Sequence, residues 1–164
     1  MFLRSIELHF SLAVTRQVVS RQSRHRSVDR LTARHLLAFG GIVAVVATSG
    51  SLYLSLGMGL IPCELCWYQR ILMYPLVVVF GVGLVERRAT VYRTVLPLSV
   101  LGASIAAYHS WLQITTSGLQ CGIGSCAAVL LRVFGLTIPN LSLVAFVLVT
   151  ATGVALWRLD RSRD

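Results

Sequence analysis

Four cysteines in this 164-residue chain fall into two pairs, Cys63-Glu64-Leu65-Cys66 and Cys121-Gly122-Ile123-Gly124-Ser125-Cys126. A C-x-x-C spacing permits a tight, reversible disulfide at the mouth of a helix. If Cys66 opens a helix, backbone N–H groups and the helix dipole favour its thiolate. Arg70 follows four residues on, one helical turn away and on the same face. A fixed guanidinium there stabilises a Cys66 thiolate and any oxyanion developing beside it. The two glycines between Cys121 and Cys126 allow that segment to present a sulfur to a partner or to swing toward Cys63. His109 and Gln113 share a helix face one turn apart, and both can donate a hydrogen bond to a bound carbonyl ligand.

The elements that position these residues are apolar. Hydrophobic residues make up 55% of the chain and charged residues 13%, against about 45–50% and about 25% in soluble domains. The net charge is +9, and its placement decides its meaning. Nearly all charges lie in residues 1–35, 86–93 and 158–164; only Glu64, Arg70 and Arg132 lie elsewhere. Between them run uncharged stretches at 36–60, 71–85, 94–131 and 133–157. A membrane-spanning helix needs about 20 apolar residues to cross about 30 Å of hydrocarbon. Four spans are therefore expected, at roughly 36–59, 66–85, 94–115 and 139–157, giving an all-α four-transmembrane-helix bundle.

With an even number of spans, the Arg-rich N-tail, the 86–93 loop and the C-tail share one side. The positive-inside rule makes that side, and so both the N- and C-termini, cytoplasmic. The domain plan is a basic, disordered N-tail over 1–35, a membrane domain over 36–157 and a cytoplasmic C-tail over 158–164. The basic excess then reads as topology, which removes nucleic acid as a partner and leaves membrane lipid. Residues 36–60 are too long for a signal-peptide core of about 7–15 residues. Pro62 is expected to end the first span, Pro97 to sit in the first turn of the third and Pro139 to open the fourth. Pro75, inside the second, calls for a kink or a polar neighbour at the Ile71 carbonyl. Trp67, Tyr68, Tyr108 and Trp111 read as an interfacial aromatic belt.

On this topology all four cysteines face the outside of a cell membrane, an oxidising place. Arg70 lies in the outer leaflet, where an ionisable residue marks function by default and snorkelling is the plain alternative. Three readings of the cysteines stand: two static disulfides, a tetrathiolate zinc site and a redox relay between the pairs. A zinc site is chemically allowed but odd at a membrane face, so no metal is expected. The relay is favoured. Its electron sink must be a diffusible membrane oxidant, and without a haem, iron–sulfur or flavin motif a lipid-soluble quinone is the natural choice.

The run Pro62-Cys63-Glu64-Leu65-Cys66-Trp67-Tyr68-Gln69-Arg70 resembles the C-x-x-C-x-x-Q/E-R signature of the disulfide bond formation protein B (DsbB) family. Tyr108-His109-Ser110-Trp111-Leu112-Gln113 and Gly135-Leu136-Thr137-Ile138-Pro139 extend the match over about residues 36–157. The short second pair resembles the compact, BdbC-like members.

The resemblance implies a protein-dithiol:quinone oxidoreductase that reoxidises a secreted, DsbA-like thioredoxin-fold oxidase. It implies a quinone of ubiquinone or menaquinone type. By the same resemblance Cys63 and Cys66 form the quinone-proximal pair, with Cys66 facing the ring. Arg70 and His109 match quinone-site residues. Cys121 matches the cysteine that forms the mixed disulfide with the partner, and Cys126 the one that pairs with Cys63 in transfer. Vitamin K epoxide reductase-like enzymes share a four-helix core and a C-x-x-C, but normally place that motif in the last span of the core.

Overall fold

The computed structural model describes residues 31–115, 132–133 and 136–162. The expected N-tail up to residue 30, and Cys121 and Cys126, lie outside the described residues. Long apolar runs without charge satisfy their backbone only as helices when water is absent, and the described chain is built of four. Helix α1 spans Leu31–Gly57, α2 Glu64–Glu86, α3 Tyr92–Thr115 and α4 Ile138–Arg161. A 3-10 turn at Ala89–Val91 leads into α3. Two-residue strands, β1 (Arg132–Val133) and β2 (Leu136–Thr137), pair antiparallel just before α4, with Arg132 opposite Thr137 and Val133 opposite Leu136. The shortest helix, α2, has 23 residues, about 34 Å of rise. All four are long and apolar enough to cross a membrane.

The helices outrun the uncharged stretches at most ends. Leu31 is already helical, Arg34 lies within α1, and α4 carries Arg158 and Arg161 in its last turn. Arginine tolerates these places because its aliphatic stem stays on apolar surface while the guanidinium reaches headgroups. Two proline expectations need correction. Pro97 sits in the second turn of α3, not the first, because the helix starts earlier, at Tyr92. Pro62 does not end α1. That helix closes five residues sooner in a π-helical turn, Tyr53–Gly57, with Met58 N–H donating to Tyr53 O and Leu60 N–H to Leu54 O, both at 3.1 Å. Gly59, at φ 66°, then turns the chain where a side chain is disfavoured. Pro139 does open α4 behind its N-cap, Thr137.

Consecutive helices pack antiparallel in a ring. Leu37 and Gly40 of α1 meet Gly83 and Phe80 of α2; Gly102 of α3 meets Phe146 of α4, and Gly153 meets Leu96. Gly40 also faces Thr152, which closes α1 onto α4. The core is Leu37, Leu76, Phe80, Val95, Phe146, Val149 and Leu156, all fully enclosed. A Cβ at Gly102 would lie 2.1 Å from the Phe146 ring, so this crossing depends on a missing side chain, as membrane helix pairs often do. The outer faces show Ile42, Val46, Val78 and Val85, a surface suited to hydrocarbon. Three hydroxyls inside the helices return to their own backbone: Ser104 to Val100 O at 2.9 Å, and Thr150 and Thr152 to Phe146 O and Leu148 O at 2.8 Å. That removes lone donors from lipid.

The bundle is polar at its two ends in different ways. One end carries Arg34, Glu86, Arg87, Arg88, Arg93, Arg158 and Arg161, with guanidinium–ring contacts of Arg93 to Tyr92 (6.0 Å) and Arg161 to Trp157 (5.6 Å). The opposite end carries Cys63, Cys66, Arg70, His109 and Gln113. Tyr53, Trp67, Tyr68, Tyr108 and Trp111 are exposed around that second end.

Candidate functional site

The site forms where α2 begins. Cys63 is its N-cap, in extended conformation (φ −71°, ψ 170°), and its carbonyl accepts the Trp67 N–H at 3.1 Å, starting the helix. Cys66 therefore sits in the first turn rather than at the boundary. Both cysteines thus lie at the positive end of the α2 dipole, and the Cys63 side chain makes no cap hydrogen bond to the first-turn N–H groups. The two Sγ atoms are 2.9 Å apart as a dithiol. Cys63 is buried and Cys66 half-buried, so Cys66 is the more accessible sulfur.

Helix α3 brings His109 against this pair. The imidazole is 2% exposed; its Nε2 is 3.8 Å from Cys63 Sγ and its Nδ1 is 3.2 Å from Gln69 Nε2. With the amide so oriented, Gln69 donates to Nδ1, and the proton of a neutral ring resides on Nε2, facing the Cys63 sulfur. Donor atoms of Cys63, Cys66 and His109 all lie within 4.8 Å of one another. Gln113, one turn beyond His109, is buried, as are Ser110 and Thr137. Among the described residues, buried polar side chains thus gather at this end, where each requires a partner or a ligand.

Arg70 turns toward α1. Its Nη2 donates to Ser51 O at 3.0 Å and to Ser55 Oγ, and its guanidinium lies 5.5 Å from the Trp67 ring centroid. Ser51 and Ser55 flank the change from α to π winding, where backbone register shifts and functional sites recur. Arg70 is thus held by α1 and does not snorkel freely. One turn from each partner, on the same helix faces, Thr48 Oγ1 on α1 and Tyr74 OH on α2 are buried without a hydrogen-bond partner. These orphan hydroxyls extend the polar seam inward from Arg70.

The structure brings Cys63, Cys66 and His109 together, sets Gln113 behind them and fixes Arg70 one turn deeper. Sequence reasoning quoted Gln69 within the C-x-x-C-x-x-Q/E-R run but gave it no role, and it passed over Ser51 and Ser55. A signal existed for Gln69, since a glutamine inside an apolar span seeks a polar partner; serines that bond through a backbone carbonyl leave no such trace.

Residues 33–156 match the family model described as "Disulfide bond formation protein DsbB". The chain is 44% identical over 113 residues to "Disulfide bond formation protein C" of Bacillus subtilis (strain 168), covering 66% of this chain and 82% of that protein. It is 38% identical over 125 residues to a "Probable disulfide formation protein" of Coxiella burnetii (strain Dugway 5J108-111), covering 72% and 84%. No solved structure matches it. A family match that spans the whole bundle, joined to a dithiol at the mouth of a membrane helix, places this chain in the DsbB family of disulfide bond formation proteins.

Proposed function

We propose that the protein is a membrane thiol:quinone oxidoreductase that regenerates the disulfide of a secreted, DsbA-like thioredoxin-fold oxidase. The arginine-rich end faces the cytoplasm and the cysteine end faces outward, as the positive-inside rule directs. The observation that carries the reading is the Cys63–Cys66 dithiol at the start of α2, with a guanidinium anchored one turn deeper.

The partner's thiolate attacks Cys121 of a Cys121–Cys126 disulfide, and its second thiol displaces Cys121, so the partner leaves oxidised. The reduced second pair then exchanges with a Cys63–Cys66 disulfide, Cys126 attacking Cys63. Two electrons and two protons now reside on Cys63 and Cys66. A quinone, when bound, would supply the two-electron, two-proton acceptor for that pair. The residues fit such a group: Cys66 is the accessible sulfur, and Arg70 offers positive charge. Thr48 and Tyr74 hold orphan hydroxyls suited to a carbonyl. His109 Nε2–H holds the Cys63 sulfur as it becomes a thiolate, and Arg70 stabilises charge on an oxygen beside Cys66 in a low-dielectric site. Purified protein, given a reduced thioredoxin-fold dithiol and a quinone, oxidises the dithiol; a protein that does not do so lacks this function.

A further inference from the structure

We propose that the reduced Cys63–Cys66 pair and His109 form a three-ligand site for Zn2+, so that the metal and the disulfide compete for the same two sulfurs. Three observations carry it. The donor atoms lie within 4.8 Å of one another. Two thiolates with one imidazole are a donor set that zinc takes, with three protein ligands leaving a fourth position open. The ligands come from the N-cap and first turn of α2 and from the buried face of α3, so folding has already assembled them and little ordering remains at binding.

Bond lengths define the adjustment required. Tetrahedral zinc with Zn–S about 2.3 Å and Zn–N about 2.0–2.1 Å sets S···S near ~3.8 Å and S···N near ~3.5 Å. The sulfurs stand at 2.9 Å and Cys63 Sγ–His109 Nε2 at 3.8 Å. Opening the sulfurs by about 0.9 Å, and bringing Cys66 Sγ from within 4.8 Å of the imidazole donor to about 3.5 Å of Nε2, reaches that geometry. The imidazole must present its Nε2 lone pair, which moves its proton to Nδ1. Gln69 serves this tautomer too. Turned about its last torsion, its Oε1 accepts from Nδ1–H, the outer-sphere bond that ligating histidines normally make. Binding one Zn2+ releases the two thiol protons and moves no electrons. The oxidised pair offers no thiolate, so the site exists only in the dithiol state and holds the pair reduced. Blockade of turnover by the metal rests on the function proposed above; binding itself does not.

The test uses the full chain in detergent, as a Cys121→Ser/Cys126→Ser variant, so that only the first pair contributes sulfur. Cd2+ is the probe, read by sulfur-to-cadmium charge-transfer absorbance in the ultraviolet, with Zn2+ as competitor. The reduced protein is expected to bind one Cd2+ per chain, displaced by Zn2+, and the oxidised protein none. His109→Ala is expected to weaken binding about 10- to 100-fold, and Gln69→Leu about 10-fold or more. Circular dichroism identifies variants that keep the helical fold, and Cys63→Ser serves as a second variant expected to abolish the absorbance. Equal binding by the oxidised protein, or affinity unchanged in a folded His109→Ala variant, overturns the site. Quinone-dependent turnover of the wild-type chain, measured after chelation, separates the two claims. Metal binding without turnover sustains the site and sinks the enzyme reading; turnover without metal binding does the reverse.

Discussion

Gln69 Nε2 sits 3.2 Å from His109 Nδ1, so a residue of α2 is the hydrogen-bond partner of the α3 imidazole whose other nitrogen faces Cys63. Both are buried at the cysteine end of the bundle. If this bond places the proton, Gln69→Leu lowers kcat about 10-fold, the worth of a buried hydrogen bond of about 1.4 kcal/mol. The KM for the thioredoxin-fold partner stays unchanged, and Gln69→Glu, whose carboxylate only accepts and so draws the proton to Nδ1, does not recover the rate. A fall in thermal stability with no change in kcat would reduce Gln69 to a packing residue.

Arg70 is tied to Ser51 O and Ser55 Oγ, so its substitution has two separable effects. Arg70→Ala raises the apparent quinone KM, by about 10-fold for a lost charge-assisted contact of about 1.5 kcal/mol. It also loosens the end of α1. Ser55→Ala loosens that end while leaving the guanidinium in place, and its quinone KM rises less than about 3-fold, below 1 kcal/mol. Steady-state kinetics across a quinone titration checks this; equal effects from the two variants would make Arg70 a structural tie.

Gly102 lies under the Phe146 ring, where a Cβ would come within 2.1 Å. Gly102→Val pushes α3 from α4 and lowers stability by about 1–3 kcal/mol, read as a lower unfolding temperature in detergent. Adding Phe146→Leu recovers part of that loss. A destabilisation that is merely additive in the double variant would place the strain elsewhere.

The proposed orientation predicts which end a membrane-impermeant thiol reagent reaches. In a background without native cysteines, a cysteine introduced at Glu64 is labelled on intact cells, whereas one introduced at Arg88 requires broken cells. Reversed labelling would invert the topology.

Much of this was legible before folding. Long uncharged runs announced four helices because lipid permits little else, and C-x-x-C with Arg70 pointed to one end as the candidate site because an ionisable residue inside an apolar span is costly without a role. The helix ends were less legible. Arginine snorkels, so Arg34, Arg158 and Arg161 extend helices that a count of uncharged residues cuts short. The π turn at Tyr53–Gly57 and its tie to Arg70 were invisible, since a backbone carbonyl has no residue code. His109 was chosen for a bound carbonyl, yet its imidazole meets a cysteine and a glutamine. One-dimensional spacing on α3 does not reveal which helix it meets.

Anaerobic turnover with a defined quinone tests the central claim most directly. Reduced thioredoxin-fold oxidase, quinone and purified protein are mixed without oxygen, and disulfide and quinol are counted together. The expected result is one quinol per disulfide, abolished in Cys66→Ser while that variant remains folded in the membrane fraction. Disulfide formation without quinol, or undiminished turnover in Cys66→Ser, would contradict it.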